Sequence, residues 1–208
     1  MKRPLALLAV TLFGLPIGLP AQVGKGLLDP NSASDKQLAE LDGMTAAITA
    51  AMVKARPFTN ALALDAFLGE QGLDPAARGK IYGKAFLHIN LNTASSKEMQ
   101  LIPGVGRRMA HEFDEYRPWK SFKQFDKEIG KYVSKTEVAR FKQYCFIPLD
   151  LNKASDADFQ TIPGVGKRMA HEFEEYRPWK SKKQFEREIG KYVNAKEVAR
   201  FWRYMTIK

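Results

Sequence analysis

The chain is short of almost everything that carries chemistry. Cys145 is the only cysteine among 208 residues, so no intramolecular disulfide can form. Its counterpart one repeat later is Met205, which marks the position as apolar core. His111-Glu112 and His171-Glu172 lack a second histidine at helical spacing and fall on the polar side of a helix. They read as solvated surface rather than as a metal or catalytic site. There is no Ser-His-Asp order, no Cys-His pair and no lysine-bearing phosphate loop. The sequence therefore offers no candidate catalytic residue, and no metal or cofactor is expected.

Long hydrophobic runs are also scarce. The exception is the amino terminus, where Lys2 and Arg3 precede an uncharged apolar stretch from Leu5 to Leu19. That stretch is shorter than the ~20 residues that span a bilayer, and Gly14, Pro16 and Gly18 interrupt it. It reads as a secretion signal over residues 1–21, cut after Leu19-Pro20-Ala21. The alternative is an uncleaved membrane anchor. Either way the mature domains are expected outside the cytoplasm: periplasmic or secreted with no membrane contact if the signal is cleaved, anchored to the membrane if it is not. An exported protein without disulfides is permitted, because oxidising surroundings allow bridges without requiring them.

Negative charge is under-represented: 33 Lys and Arg face 23 Asp and Glu, a net +10. Such an excess favours an anionic partner and says nothing about fold. It is unevenly placed. Residues 22–90 carry 7 basic and 7 acidic side chains, residues 91–148 carry 11 and 7, and residues 149–208 carry 13 and 9.

What the chain has in abundance is itself. Asn92 recurs as Asn152, Pro103 as Pro163, His111 as His171, Trp119 as Trp179 and Gly130 as Gly190, always 60 residues apart. Roughly two positions in three are identical between residues 91–147 and 151–207. A worn copy lies upstream. With Asn31 set against Asn92, Ala33 meets Ala94, Gly43 meets Gly104, Arg56-Pro57 meets Arg117-Pro118 and Phe58 meets Trp119. After a gap of three, Ile89 meets Ile147. The expected organisation is three copies: a degenerate one at 28–90, then 91–148 and 149–208. The short link Ile147-Pro148-Leu149 implies that the last two are packed or fixed together.

Each copy reads as four short helices in two hairpins, an all-α fold. Ser95-x-x-Glu98 is a capping box opening the first helix, with Met99 and Ile102 on its apolar face. A second helix is expected from about Arg107 to Tyr116, ending before Pro118. A third covers about Phe122 to Ile129. Ser134-x-x-Glu137 and Asn194-x-x-Glu197 open a fourth. Trp119 and Trp179, and Tyr132 and Tyr192, recur at fixed places, and with Phe122 and Phe125 they are expected in the core. Trp202, opposite Lys142 in the preceding copy, is a candidate partner contact.

The candidate site is the first turn of each basic copy: Gly104-Val105-Gly106-Arg107-Arg108 and Gly164-Val165-Gly166-Lys167-Arg168. Glycines admit positive φ and let a phosphate approach the backbone. The turn opens a helix whose first N–H groups lack internal partners and favour an anion. Val105 and Val165 are expected to face inward, and the four cations to add charge. Such contacts position a backbone without reading bases. The worn copy has Asp42-Gly43-Met44-Thr45-Ala46-Ala47 instead, losing the second glycine and both cations together. A plain interhelical turn is the competing reading.

Leu91-Asn92-Thr93-Ala94-Ser95, Ile102-Pro103-Gly104-Val105-Gly106, Ala110 and Tyr116-Arg117 resemble the ComEA-type helix-hairpin-helix domain, and Leu151 to Ser155 with Ile162 to Gly166 do so again. The resemblance is strong over 91–208 and faint over 28–90. It implies compact four-helix modules, each a pair of hairpins, that hold double-stranded DNA through hairpin amides. In competent bacteria such proteins lie outside the inner membrane and hold incoming DNA. One departure stands out. The family's second hairpin repeats Gly-apolar-Gly, whereas here those glycine positions hold Tyr132 and Ser134. Lys131 and Lys191 are the cations left there to meet a phosphate. The competing function is an extracytoplasmic structural or interaction protein using the same scaffold without DNA, with residues 28–90 as the protein-contacting part.

Overall fold

The computed structural model describes residues 26–208, so the expected leader at residues 1–21 lies outside the described residues. Helices dominate the described chain, in three successive sets of four. The first set is α1 (Asp35–Ala39), α2 (Ala46–Ala55), α3 (Ala61–Glu70) and α4 (Pro75–Tyr82). The second is α5 (Ser96–Met99), α6 (Arg107–Glu115), α7 (Phe122–Ile129) and α8 (Lys135–Lys142). The third is α9 (Asp156–Phe159), α10 (Lys167–Glu175), α11 (Lys182–Ile189) and α12 (Ala195–Trp202). The architecture is all-α, and among the described residues no helix is long and apolar enough to cross a membrane.

Two-residue strands close the second and third sets. β1 (Ile89–Asn90) runs parallel to β2 (Cys145–Phe146), and β3 (Leu149–Asp150) to β4 (Met205–Thr206). A single bridge joins Leu28 to Ala85 in the first set. These pairings make Leu28, Ile89 and Leu149 equivalent, and likewise Ala85, Cys145 and Met205. Ile89 therefore opens the second copy instead of ending the first, as the match to Ile147 had it. The first copy is longer by one residue rather than by three, because α3 runs two residues further than α7 and the turn after it is one shorter. Gly72 takes up that turn with φ +82°.

One clamp recurs in all three copies. The Asn31 side chain donates to the Phe58 carbonyl and accepts from its N–H at 2.9 and 2.8 Å. Asn92 does the same with Trp119, and Asn152 with Trp179. A single amide thereby satisfies two backbone groups that burial would otherwise leave unpaired. In the two basic copies the buried indoles add a bond, Trp119 Nε1 to the Phe113 carbonyl (2.8 Å) and Trp179 Nε1 to that of Phe173 (2.7 Å). Arg117 and Arg177 donate through Nε to the carbonyls of Leu91 and Leu151, both at 2.7 Å. The first helix of every copy begins with a complete capping box: Ser34 with Gln37, Ser95 with Glu98, Ser155 with Asp158.

The copies are packed together. A single apolar core runs through the first two, from Ala33 to Cys145, and a second fills the third copy. The same ring pair is used at both junctions: Phe86 packs edge-on against Tyr144 (5.1 Å), and Phe146 lies tilted against Tyr204 (4.5 Å). Phe122 touches both cores. At that position the third copy has Lys182, whose ammonium lies 6.0 Å over Trp202. Trp202 packs on Phe185 (5.4 Å) and belongs to its own copy rather than standing free for a partner. The buried indoles, Phe125 and Phe185 are core. Tyr132 and Tyr192 are not, being 38 % exposed, because they sit at the tips of the α7–α8 and α11–α12 turns and use their hydroxyls to reach Tyr116 and Tyr176.

Candidate anion-binding hairpins

Leu101 to Gly106 turns the chain from α5 into α6. Val105 is buried, and its N–H bonds the Ile102 carbonyl, pinning the turn to the core. Gly104 has φ +81°, which a side chain rarely adopts. Gly106 is the residue that caps α6, and a glycine supplies no side-chain acceptor. Val165, Gly164 (φ +77°) and Gly166 repeat the arrangement before α10. The amides of Gly104, Gly106, Arg107, Arg108 and Met109 have no acceptor among the described residues, nor have those of Gly164, Gly166, Lys167, Arg168 and Met169.

Ten of the twelve helices have a Ser, Thr, Asn or Asp side chain accepting from the first turn. The two without one are α6 and α10. Their first turns hold no acid. They hold instead Arg107, Arg108, Lys167 and Arg168, all exposed and none within ion-pairing distance of a carboxylate among the described residues. Cations at the positive end of a helix are unfavourable by about 0.3–1 kcal/mol each. Missing caps and misplaced cations are thus both unfavourable for the protein alone, and both become favourable when an anion occupies the turn.

The worn copy answers the same geometry differently. Gly43 keeps φ +84°, but the cap of α2 is Thr45, whose hydroxyl accepts from the Ile48 N–H at 3.2 Å. Two alanines follow where the basic copies have cations. The turn survives, but the Ile48 amide is closed where its counterparts at Met109 and Met169 stay open.

The second hairpins are capped too. Ser134 accepts from the Glu137 N–H and Asn194 from that of Glu197. The boxes expected there are only half formed, because both glutamates turn to an arginine: Glu137 to Arg140 and Glu197 to Arg200. Lys131 and Lys191 are exposed, but each is bound to a carboxylate, Glu128 or Glu188, and lies 5.1 Å over the ring of Tyr116 or Tyr176. Hydrogen bonding to these lysines, first of all, holds both carboxyls below their ordinary range. The two lysines are therefore already partnered, unlike the cations of the first hairpins. Glu172, placed on the polar helix face by its spacing, is buried. Bonds to Tyr116 and then Glu112 raise the Tyr132 hydroxyl above the ordinary phenol range, and Tyr176 and Glu172 do the same to Tyr192.

A groove of about 490 Å³ runs along the second copy's hairpin, between Pro103, Gly104 and Gly106 on one side and Arg78, Gly79 and Tyr82 of the first copy on the other. His111 and His171 are exposed, and no group of three metal-ligating side chains occurs among the described residues.

What fold and site define is a class: an all-α protein of three clamped four-helix copies, two of which present an uncapped, cation-bearing helix start. No protein-family model, curated protein or solved structure matches the chain.

Proposed function

We propose that this is an exported, non-enzymatic protein that binds double-stranded DNA without sequence preference. The first hairpins of copies two and three grip phosphates, and DNA uptake in a competent bacterium is the role its ComEA-like hairpins suggest. The observation that carries the reading is the pairing of missing caps with unpaired cations at the starts of α6 and α10 alone. A phosphate would accept from the free amides while Arg107 and Arg108, or Lys167 and Arg168, neutralise it. Copy one, capped and neutral at the same turn, serves packing and spacing or contacts a protein partner. Export rests on the leader at residues 1–21.

The test uses the chain from Gln22 onward, short random duplexes and fluorescence anisotropy across a salt series. Four engaged cations give a log–log slope of roughly −3 to −4, at about −0.9 per phosphate neutralised. Gly106→Asp with Gly166→Asp is the decisive variant. Neither glycine has positive φ, and a Cβ at either meets nothing within 4 Å. Aspartate is a good cap and a favourable charge at a helix start. The variant should fold as well as the parent and lose DNA binding, because its own carboxylates occupy the amides. Undiminished binding, or a parent that fails to bind duplex at low salt, rejects the reading.

A further inference from the structure

In both basic copies one arginine from the fourth helix reaches under the first hairpin. Arg140 Nη2 donates to the Pro103 carbonyl at 2.6 Å, and Arg200 Nη1 to that of Pro163, also at 2.6 Å. These bonds span 37 residues and link the second hairpin of each copy to the first. The guanidinium is gripped on its other side. Arg140 Nε lies 3.0 Å from Glu137, and Arg200 Nη2 lies 2.7 Å from Glu197. It also rests against the following phenylalanine, 4.9 Å over Phe141 in one copy and 4.7 Å over Phe201 in the other. The contact is close: a Cβ placed on Gly104 would stand 2.7 Å from Arg140 Nη2, and one on Gly164 would stand 2.8 Å from Arg200 Nη2.

The consequence for the hairpin follows from peptide geometry. In a planar trans peptide the C=O and N–H point in opposite directions. Holding the Pro103 oxygen down onto Arg140 therefore turns the Gly104 N–H away from the protein, and this N–H has no acceptor in it. The bond also keeps a carbonyl dipole from rotating toward an incoming anion. The glutamate on the other side of each guanidinium makes the pair neutral overall, so the arginine acts by orienting the turn and not by adding net charge to it.

The first copy provides the contrast. The residues at the positions of Glu137 and Arg140, 60 earlier, are Ala77 and Lys80. Lys80 is exposed, and the space over Gly43 is taken by Leu73, 3.3 Å from a Cβ placed there. Buttress, open cap and cations are all present in two copies and all missing in the third.

We propose that Arg140 and Arg200 are the positioning residues of the two hairpins, held by Glu137 and Glu197, and that the second hairpin of each copy has become the support of the first. This rests on the nucleic-acid reading above, with the phosphate backbone as ligand. The experiment compares the parent with Arg140→Met/Arg200→Met and Arg140→Lys/Arg200→Lys, using a random duplex over a salt series and far-ultraviolet circular dichroism. The methionine pair should lose at least about tenfold in affinity at unchanged slope, since no phosphate-contacting charge is removed. Were the arginines direct phosphate contacts, the slope would become shallower by about 0.9 for each one lost, and the positioning role would be overturned. Unchanged affinity would overturn it equally. If the methionine pair loses helicity, the lysine pair decides: charge and stem are kept but the two-sided grip is not, so a severalfold loss at unchanged slope is expected and parental affinity refutes the proposal. A parent that does not bind duplex rejects the functional reading itself, which is a separate result.

Discussion

Copy one and its two successors share a scaffold and differ at one turn, and the comparison separates what the fold needs from what an anion site needs. The Asn clamp, the capping box before the first helix, the positive-φ glycine and a closing parallel bridge, extended to a strand pair in copies two and three, occur in all three. Those are requirements of folding. The glycine cap, the two cations and the buttressing arginine occur only in copies two and three. The glycine cap and the two cations are neutral or unfavourable for a helix on its own. Their joint loss in copy one, with Thr45 closing the first turn, is what relaxation of a binding requirement on an intact fold would leave. The charge distribution says the same at lower resolution: the copy without the hairpin features is the one in which basic and acidic residues balance.

The largest expected effect tests the shared part. Trp119 and Trp179 are fully buried, each with an indole bond to a carbonyl. Truncating either to alanine should destabilise by about 3–5 kcal/mol. Because copies one and two share a core, Trp119→Ala should lower the urea midpoint of both together. Trp179→Ala should act first on copy three. Segment-resolved hydrogen exchange distinguishes these outcomes, and protection lost uniformly in both variants would argue against two cores.

The junctions differ as well. His88 lies on the link between copies one and two, where the next link has Pro148. It is fully buried, with Nδ1 3.1 Å from the Tyr204 hydroxyl and its carbonyl accepting from Arg203 at 3.1 Å. Burial is the main cause that lowers its pKa from 6.5 to about 4, against the opposing pull of Asp29 and with Arg203 adding to the shift. Between those values the unfolded chain binds more protons than the folded one, so stability rises with pH across that window. The contribution is complete above about pH 6.5 and is lost as pH falls toward 4. Melting temperature between pH 4 and 7 should show this slope in the parent and a weaker one in His88→Gln.

The Asn clamp should contribute less, and equally in every copy. Asn31→Ala, Asn92→Ala and Asn152→Ala each strip two backbone groups of their partner, at a cost of about 1–3 kcal/mol. Similar losses in all three would confirm the clamp as common scaffold. In the proposed function only the second and third substitutions should also weaken duplex binding.

Much of this was legible in the sequence because the chain can be aligned with itself. Helix count, capping residues and the Gly-Val-Gly turn recur at a fixed spacing, and local rules for caps and turns place them. Contacts between distant segments were not legible. Nothing local marks Asn31, Asn92 and Asn152 as clamps on a residue 27 positions away. Nothing local says that Arg140 reaches the Pro103 carbonyl 37 residues back while holding Glu137 out of its capping box. The signal existed only in the repeat: the Glu-Arg pair stands in both basic copies and is Ala77 and Lys80 in the worn one. Tyr132 and Tyr192 misled because an aromatic that recurs need not be core. Theirs recur for a hydroxyl bond at an exposed tip.

The smallest expected effect on stability is the most discriminating for function, since it exchanges the caps. Gly106→Ser with Gly166→Ser gives α6 and α10 the kind of acceptor that Thr45 gives α2. Neither substitution meets a steric obstacle. Replacing glycine by a good cap changes stability by only a few tenths of a kcal/mol, so melting temperature should hold or rise slightly. Every cation stays in place, so the salt slope should be unchanged. If phosphate accepts from the hairpin amides, it must now displace an internal hydroxyl, and affinity should fall severalfold. The converse change, Thr45→Gly with Ala46→Lys and Ala47→Arg, opens copy one. It should steepen the slope by up to about 0.9 for each added cation that meets a phosphate. If the serine variant instead binds as tightly as its parent, the amides are not the contact. The difference between the copies would then reduce to charge alone.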